Sequence, residues 1–106
     1  MTLTQQALND TLRQTLTGGI IVFSQEVAQL PKSDQFDLLK KLRAFNDFTP
    51  DNDPYGEHDF GSFDHNHHTF FWKIDCYDTQ RQNASPNPED PSVTCRVLTL
   101  YFAHEH

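Results

Sequence analysis

The nine residues 69-TFFWKIDCY-77 alternate with a period of two. Phe70, Trp72, Ile74 and Cys76 fall on one side, and Phe71, Lys73, Asp75 and Tyr77 on the other. Only a strand segregates them in this way, and the side carrying the indole is expected to face a core. A second strand is expected over His58 to Asp64, joined to the first by the polar turn 65-HNHH-68. The stretch before it, 46–57, is rich in Asn, Asp, Pro and Gly, the residues that make turns.

The rest of the chain supplies what such a hairpin packs against. Leu3, Ala7, Leu8, Leu12 and Leu16 recur at helical spacing and predict a helix over 3–16, ended by Gly18-Gly19. Ile20 to Phe23 has three β-branched residues and an aromatic, a short strand, with a loop after it through Leu30-Pro31. A helix is predicted from about Ser33, as N-cap, to Phe45, with Phe36, Leu39 and Leu42 as its apolar stripe and Leu38 and Phe45 at the margins. Residues 79–92 carry three prolines and read as a loop. In 93–102, Val93, Thr94, Val97, Thr99, Tyr101 and Phe102 favour a strand, although Asp90-Pro91 resembles a helix start. Helix, strand, helix and three strands in 106 residues predict one domain, 1–106, of the α+β class. The expected architecture is a two-layer sandwich with two helices on one face of a small antiparallel sheet.

Charge narrows the function classes. Fifteen acids against eight bases give a net charge of −7. Nucleic-acid affinity comes largely from Lys and Arg on phosphates, so direct nucleic-acid binding is not expected, nor is a membrane surface. The first nineteen residues lack an apolar signal-peptide core, and Ile20–Phe23 is far too short to span a bilayer. Two cysteines, Cys76 and Cys95, do not make a secreted disulfide scaffold. A cytoplasmic protein with two free thiols is the expectation.

With these elements placed, the chain resembles the bacterial domain-of-unknown-function family number 3768. The segments 8-LNDTLRQTL-16, 45-FNDFTPDNDPYGEHDFGSF-63, 71-FWKIDCYD-78, 88-PEDPSVTCRVLTL-100 and 103-AHEH-106 carry the resemblance. It implies a small cytoplasmic protein, often encoded on mobile elements, and no established activity. The family pattern usually has a tyrosine where Cys76 stands, a glycine-containing turn where 65-HNHH-68 stands, and a terminal Glu-Tyr where this chain has Glu105-His106. Chemistry common to the family therefore does not rest on the cysteine or on most of the histidines.

Within 52-NDPYGEHDFGSF-63, Glu57, His58 and Asp59 are the candidate reactive residues. On a regular strand Glu57 and Asp59 face one way and His58 the other, so a site needs partners from the next strand, where Lys73 and Asp75 qualify by facing. Cys76 on the apolar side reads as a small hydrophobe and not a nucleophile. His65, His67, His68, His104 and His106 lack the ligand spacing of a structural zinc site and are expected to bind metal only adventitiously. No phosphate-binding or dinucleotide fingerprint is present, and no cofactor is expected.

Asp47, Asp51, Asp53, Glu57, Asp59 and Asp64 crowd one region. The favoured expectation is a non-enzymatic accessory or inhibitor protein that binds a protein with a basic surface, through Asp51, Asp53, Glu57, His58, Asp59, Lys73 and Asp75. The alternative is a small metal-dependent hydrolase or nuclease-like enzyme using His58, Asp59 and Asp75. No complete catalytic set assembles from the sequence.

Overall fold

The computed structural model describes residues 3–105. Helix α1 runs over Gln5–Thr15, strand β1 over Ile20–Phe23, helix α2 over Gln25–Ala28, helix α3 over Lys32–Ala44, and strands β2, β3 and β4 over Phe60–His65, His68–Tyr77 and Cys95–Phe102. The chain is of the α+β class.

The four strands form one sheet in the order β1-β4-β3-β2. β2 pairs antiparallel with β3, and β3 with β4, but β1 lies parallel to β4, with Ile20 beside Val97 and Phe23 beside Leu100. The sheet is therefore mixed, where an antiparallel one was expected. Local pattern marks β1 as a strand, but its neighbour and direction come from contacts far along the chain. Gly19 makes the approach feasible: a Cβ there would meet the Arg96 carbonyl oxygen at 2.5 Å.

Phe70, Trp72 and Ile74 of β3 and Leu98, Leu100 and Phe102 of β4 join Leu12 of α1, Val27 of α2, and Leu38 and Leu42 of α3 in one core cluster. The alternation in β3 is thus obeyed, and Trp72 is fully buried. Gly61, opposite Trp72 in the β2–β3 register, is required by space: a Cβ would lie 2.6 Å from both Trp72 Nε1 and Phe45 Cζ. The hairpin closes through Asn66 and His67, whose φ values of 50° and 66° are those of a two-residue I′ turn.

Several expectations are corrected. α2 occupies part of what reads as loop; Ser24 caps it by accepting from Val27 N–H at 3.3 Å, and Val27 is its buried anchor. Pro31, not Ser33, is the N-cap of α3, because its φ of −53° already sets the helix entrance, and Ser33 lies within the first turn. The buried stripe of α3 is Leu38, Leu42 and Phe45; Phe36, expected at its centre, is 69% exposed. A rotation of the stripe by one position was not resolvable in a helix with apolar residues on both flanks. β2 begins at Phe60 and not His58, because His58 has a φ of 54° and breaks the extended backbone. Pro91–Val93 is a short 3-10 turn capped by the Asp90 carboxylate, and β4 starts after it.

Cys76 pairs with Arg96 and Cys95 with Tyr77 across the β3–β4 ladder, so the two thiols point to opposite faces of the sheet and cannot bond. Both are free. Among the described residues no helix is long and apolar enough to cross a membrane.

Candidate functional site

The site is assembled from the loop between α3 and β2, with one face of α1 against it. On α1, two polar residues are buried as deeply as Leu12: Asn9 is 1% and Arg13 2% exposed. Asn9 reaches both ways. Its amide donates to the Glu57 carbonyl at 3.0 Å, and its Oδ1 accepts from Arg96 Nε at 2.6 Å. Arg96 in turn donates to the Pro88 carbonyl at 2.6 Å. Three distant stretches of chain are tied by these two side chains.

His58 is the second tie. Its Nδ1 lies 2.8 Å from Asp10 Oδ1, and its Nε2 3.3 Å from the Gln6 amide nitrogen and 3.5 Å from Asp53 Oδ2. The backbone N–H of His58 donates to Asp53 Oδ1 at 3.1 Å. Phe48 stacks flat on the imidazole, with ring centroids 3.7 Å apart and planes 3° from parallel. Arg13 bonds Asp10 at 3.3 Å and lays its guanidinium over Phe48 and Trp72, 5.3 and 5.6 Å from their centroids. Two of its nitrogens, and Trp72 Nε1, are buried without a hydrogen-bond partner; the aromatic faces supply a cation–π attraction for the former. Burial pulls the Arg13 guanidinium below its ordinary value, against the opposing charge of Asp10.

The left-handed backbone at His58 is costly for a residue with a Cβ. It is held there by bonds to both ring nitrogens and to its own N–H. The imidazole is a clamp that pins the loop to α1. Sequence patterning does not single out Asp10, Arg13 or Phe48 as its partners; the visible trace is only that 8-LNDTLRQTL-16 puts polar residues on an otherwise apolar stripe.

The candidate residues separate. Asp53, expected on the partner-binding surface, has a side chain only 6% exposed and belongs to the clamp. Asp51 is exposed. Lys73 and Asp75 pair with each other at 3.4 Å, half in solvent, on the sheet face opposite Trp72. Asp59 gives its carbonyl to Ile74 N–H at 2.8 Å. Among the described residues no hydrogen bond or ion pair joins His58 to Asp59 or Asp75. The acids do feel one another: burial, then the charges of Asp53 and Asp75, push the Asp59 carboxyl up, although a bond to its own backbone opposes this. Burial, then Asp59 and Asp53, push Glu57 up. The Cys76 thiol is pushed up mainly by burial, against Arg96, with Asp75, Asp59 and Glu57 adding to the rise. A thiol so placed is a poor nucleophile.

The histidine turn also divides. His67 and His68 are exposed, but His65 is buried, with Nε2 3.1 Å from Asp34 Oδ1 on α3. The turn expected over 65–68 is shorter, because β2 extends one residue further and turns His65 toward the helix. His104 pairs with Glu26. His106 lies outside the described residues.

Residues 23–105 match a family of proteins of unknown function. The chain belongs to the DUF3768 family. The matched span contains Phe48, Asp53, His58 and strands β2, β3 and β4, and begins at the last residue of β1, while Asp10 and Arg13 on α1 precede it. Comparison with curated proteins and with solved structures gives no match.

Proposed function

We propose that this DUF3768 protein is a non-enzymatic accessory or inhibitor protein that binds a partner with a basic surface through its 46–59 loop. The observation that carries this reading is Tyr55: its side chain is 85% exposed, at the crest of a loop that the His58 clamp holds in place. An exposed aromatic on a preorganised loop suits an interface, because little freedom is left to lose on binding. Around it lies a shallow cleft whose walls include Tyr55, Glu57 and Glu89. Glu57 already feels the charges of Asp59 and Asp53. A lysine or arginine from a partner would relieve that repulsion, and the net charge of −7 would steer such a partner in. Carriage on a mobile element, which the family resemblance implies, fits an accessory role.

The hydrolase alternative needs His58, Asp59 and Asp75 around one ion. His58 has both ring nitrogens turned to other neighbours, and no observation favours that alternative.

The test uses substitutions outside the clamp. Tyr55→Ala and Asp51→Lys leave the bonds of His58 untouched, whereas any change at Asp53 would loosen the loop. Native protein immobilised in host lysate should retain a basic protein that is released as salt rises. Each variant should retain less of the same protein with an unchanged melting temperature. Equal capture by native and both variants, insensitive to salt, would reject the reading.

A further inference from the structure

Away from the clamp, where α3 begins and the β2–β3 hairpin ends, Asp34, Asp37 and His65 each present one donor atom, and the three lie within 4.8 Å of one another. We infer that these residues form a binding site for a divalent first-row transition ion. Two carboxylates and an imidazole are a donor set suited to zinc or manganese. Donors on one such ion stand roughly 3–4 Å apart, given bonds of about 2.0–2.2 Å, so a small rotation at exposed Asp37 closes the set.

The fold prepares two of the three donors. His65 is 9% exposed, its ring edge lies against Phe70, and its backbone is locked opposite His68 in the hairpin register. Asp34 is oriented by His65 and by the Asn66 amide, which donates at 2.9 Å. Asp34 and Asp37, one turn apart on α3, share a face of the helix. Their charges are poorly balanced. Among the described residues Asp34 has only His65 as an ion-pair partner, and the Asp37 carboxylate has neither a hydrogen bond nor an ion pair. A divalent ion neutralises both carboxylates at once. The donors are reached from solvent through a cleft of about 210 Å³ whose walls include Leu30, Asp34, His65, Phe70 and Phe102.

Asp37 makes the test clean, because Asp37→Asn replaces an anionic donor by a weaker neutral amide oxygen without removing a structural bond. Zinc and manganese would be titrated calorimetrically into untagged, metal-free native chain, into Asp37→Asn, and into His67→Ser/His104→Ala. The expected result is one saturable site in the native chain and in the histidine double variant, with affinity weakened about tenfold or more in Asp37→Asn. Manganese should also broaden the NMR signals of Asp34, Asp37 and His65 before those of His67 or His104. No saturable site in the native chain, native affinity in Asp37→Asn, or loss of the site in the double variant would each overturn the inference. The last outcome would assign binding to surface histidines alone.

Discussion

Trp72 is fully buried, with Phe45 and Phe48 packed edge-on at 5.4 and 6.2 Å and the Arg13 guanidinium over its ring. Trp72→Ala should cost about 3–5 kcal/mol, a large part of a small domain's stability. A denaturant melt measures this, and a shift under about 1 kcal/mol would show that the indole is not packed as described. Asp59 works in the opposite direction. Its carboxyl is pushed up in the folded chain by burial and by neighbouring acids. The folded form therefore holds its proton more tightly than the unfolded chain does. Stability is lost as pH rises from the unfolded carboxylate value, about 4, to the raised folded value, and the loss persists at neutral pH. Asp59→Asn should melt higher than the native chain at pH 7 and show no such advantage well below pH 4. A lower melting temperature at pH 7 would mean that the carboxylate has a favourable partner.

At the scale of elements, the hairpin illustrates a local conflict tolerated for a turn. Asn66 and His67 both adopt positive φ. Asparagine accepts this readily, but histidine does so at a cost. His67→Gly should stabilise the protein by up to about 1 kcal/mol, since Asn-Gly is the pair this turn prefers and His67 is exposed. Thermal melts of the two proteins decide it; an equal or lower midpoint would place the strain elsewhere. α1 shows the converse. Leu3, expected on its stripe, lies before the helix and is exposed, while α1 buries Asn9 and Arg13, which its apolar periodicity does not announce. Both are stable there because partners from distant segments bond or cover them: Glu57 and Arg96 for Asn9, and Asp10, Phe48 and Trp72 for Arg13.

For the molecule as a whole, Arg96 connects the start of the chain to its last strand and to the proline-rich loop. It is 3% exposed and bonds Asn9 and the Pro88 carbonyl. Replacing it by methionine keeps the bulk and leaves one buried and one half-buried acceptor without their donor, at roughly 2–5 kcal/mol. Amide exchange should report the loss first in α1 and in residues 84–93, ahead of β3. Unchanged protection of α1 would show that its docking does not depend on Arg96.

The elements visible in the sequence are those whose pattern is local and complete. The β3 alternation, the β-branched run of β1 and the helical period of α3 each need only the geometry of their own backbone, and their existence and type agree with the structure. The α+β class follows from them. Whatever depends on a second segment was left to the tertiary structure. The parallel partner of β1 lies more than seventy residues away. Tertiary packing of α3 buries Leu38 and leaves Phe36 exposed. The extra residue of β2 turns His65 from the tip toward Asp34. The candidate site divided in the same way. Sequence singled out His58, but a left-handed backbone removed it from the alternation that would have aimed it at β3, and Asp10, Asp53 and Phe48 became its neighbours. A periodic pattern carries the facing of a residue only while the backbone stays regular; once it turns, long-range contacts decide which groups meet.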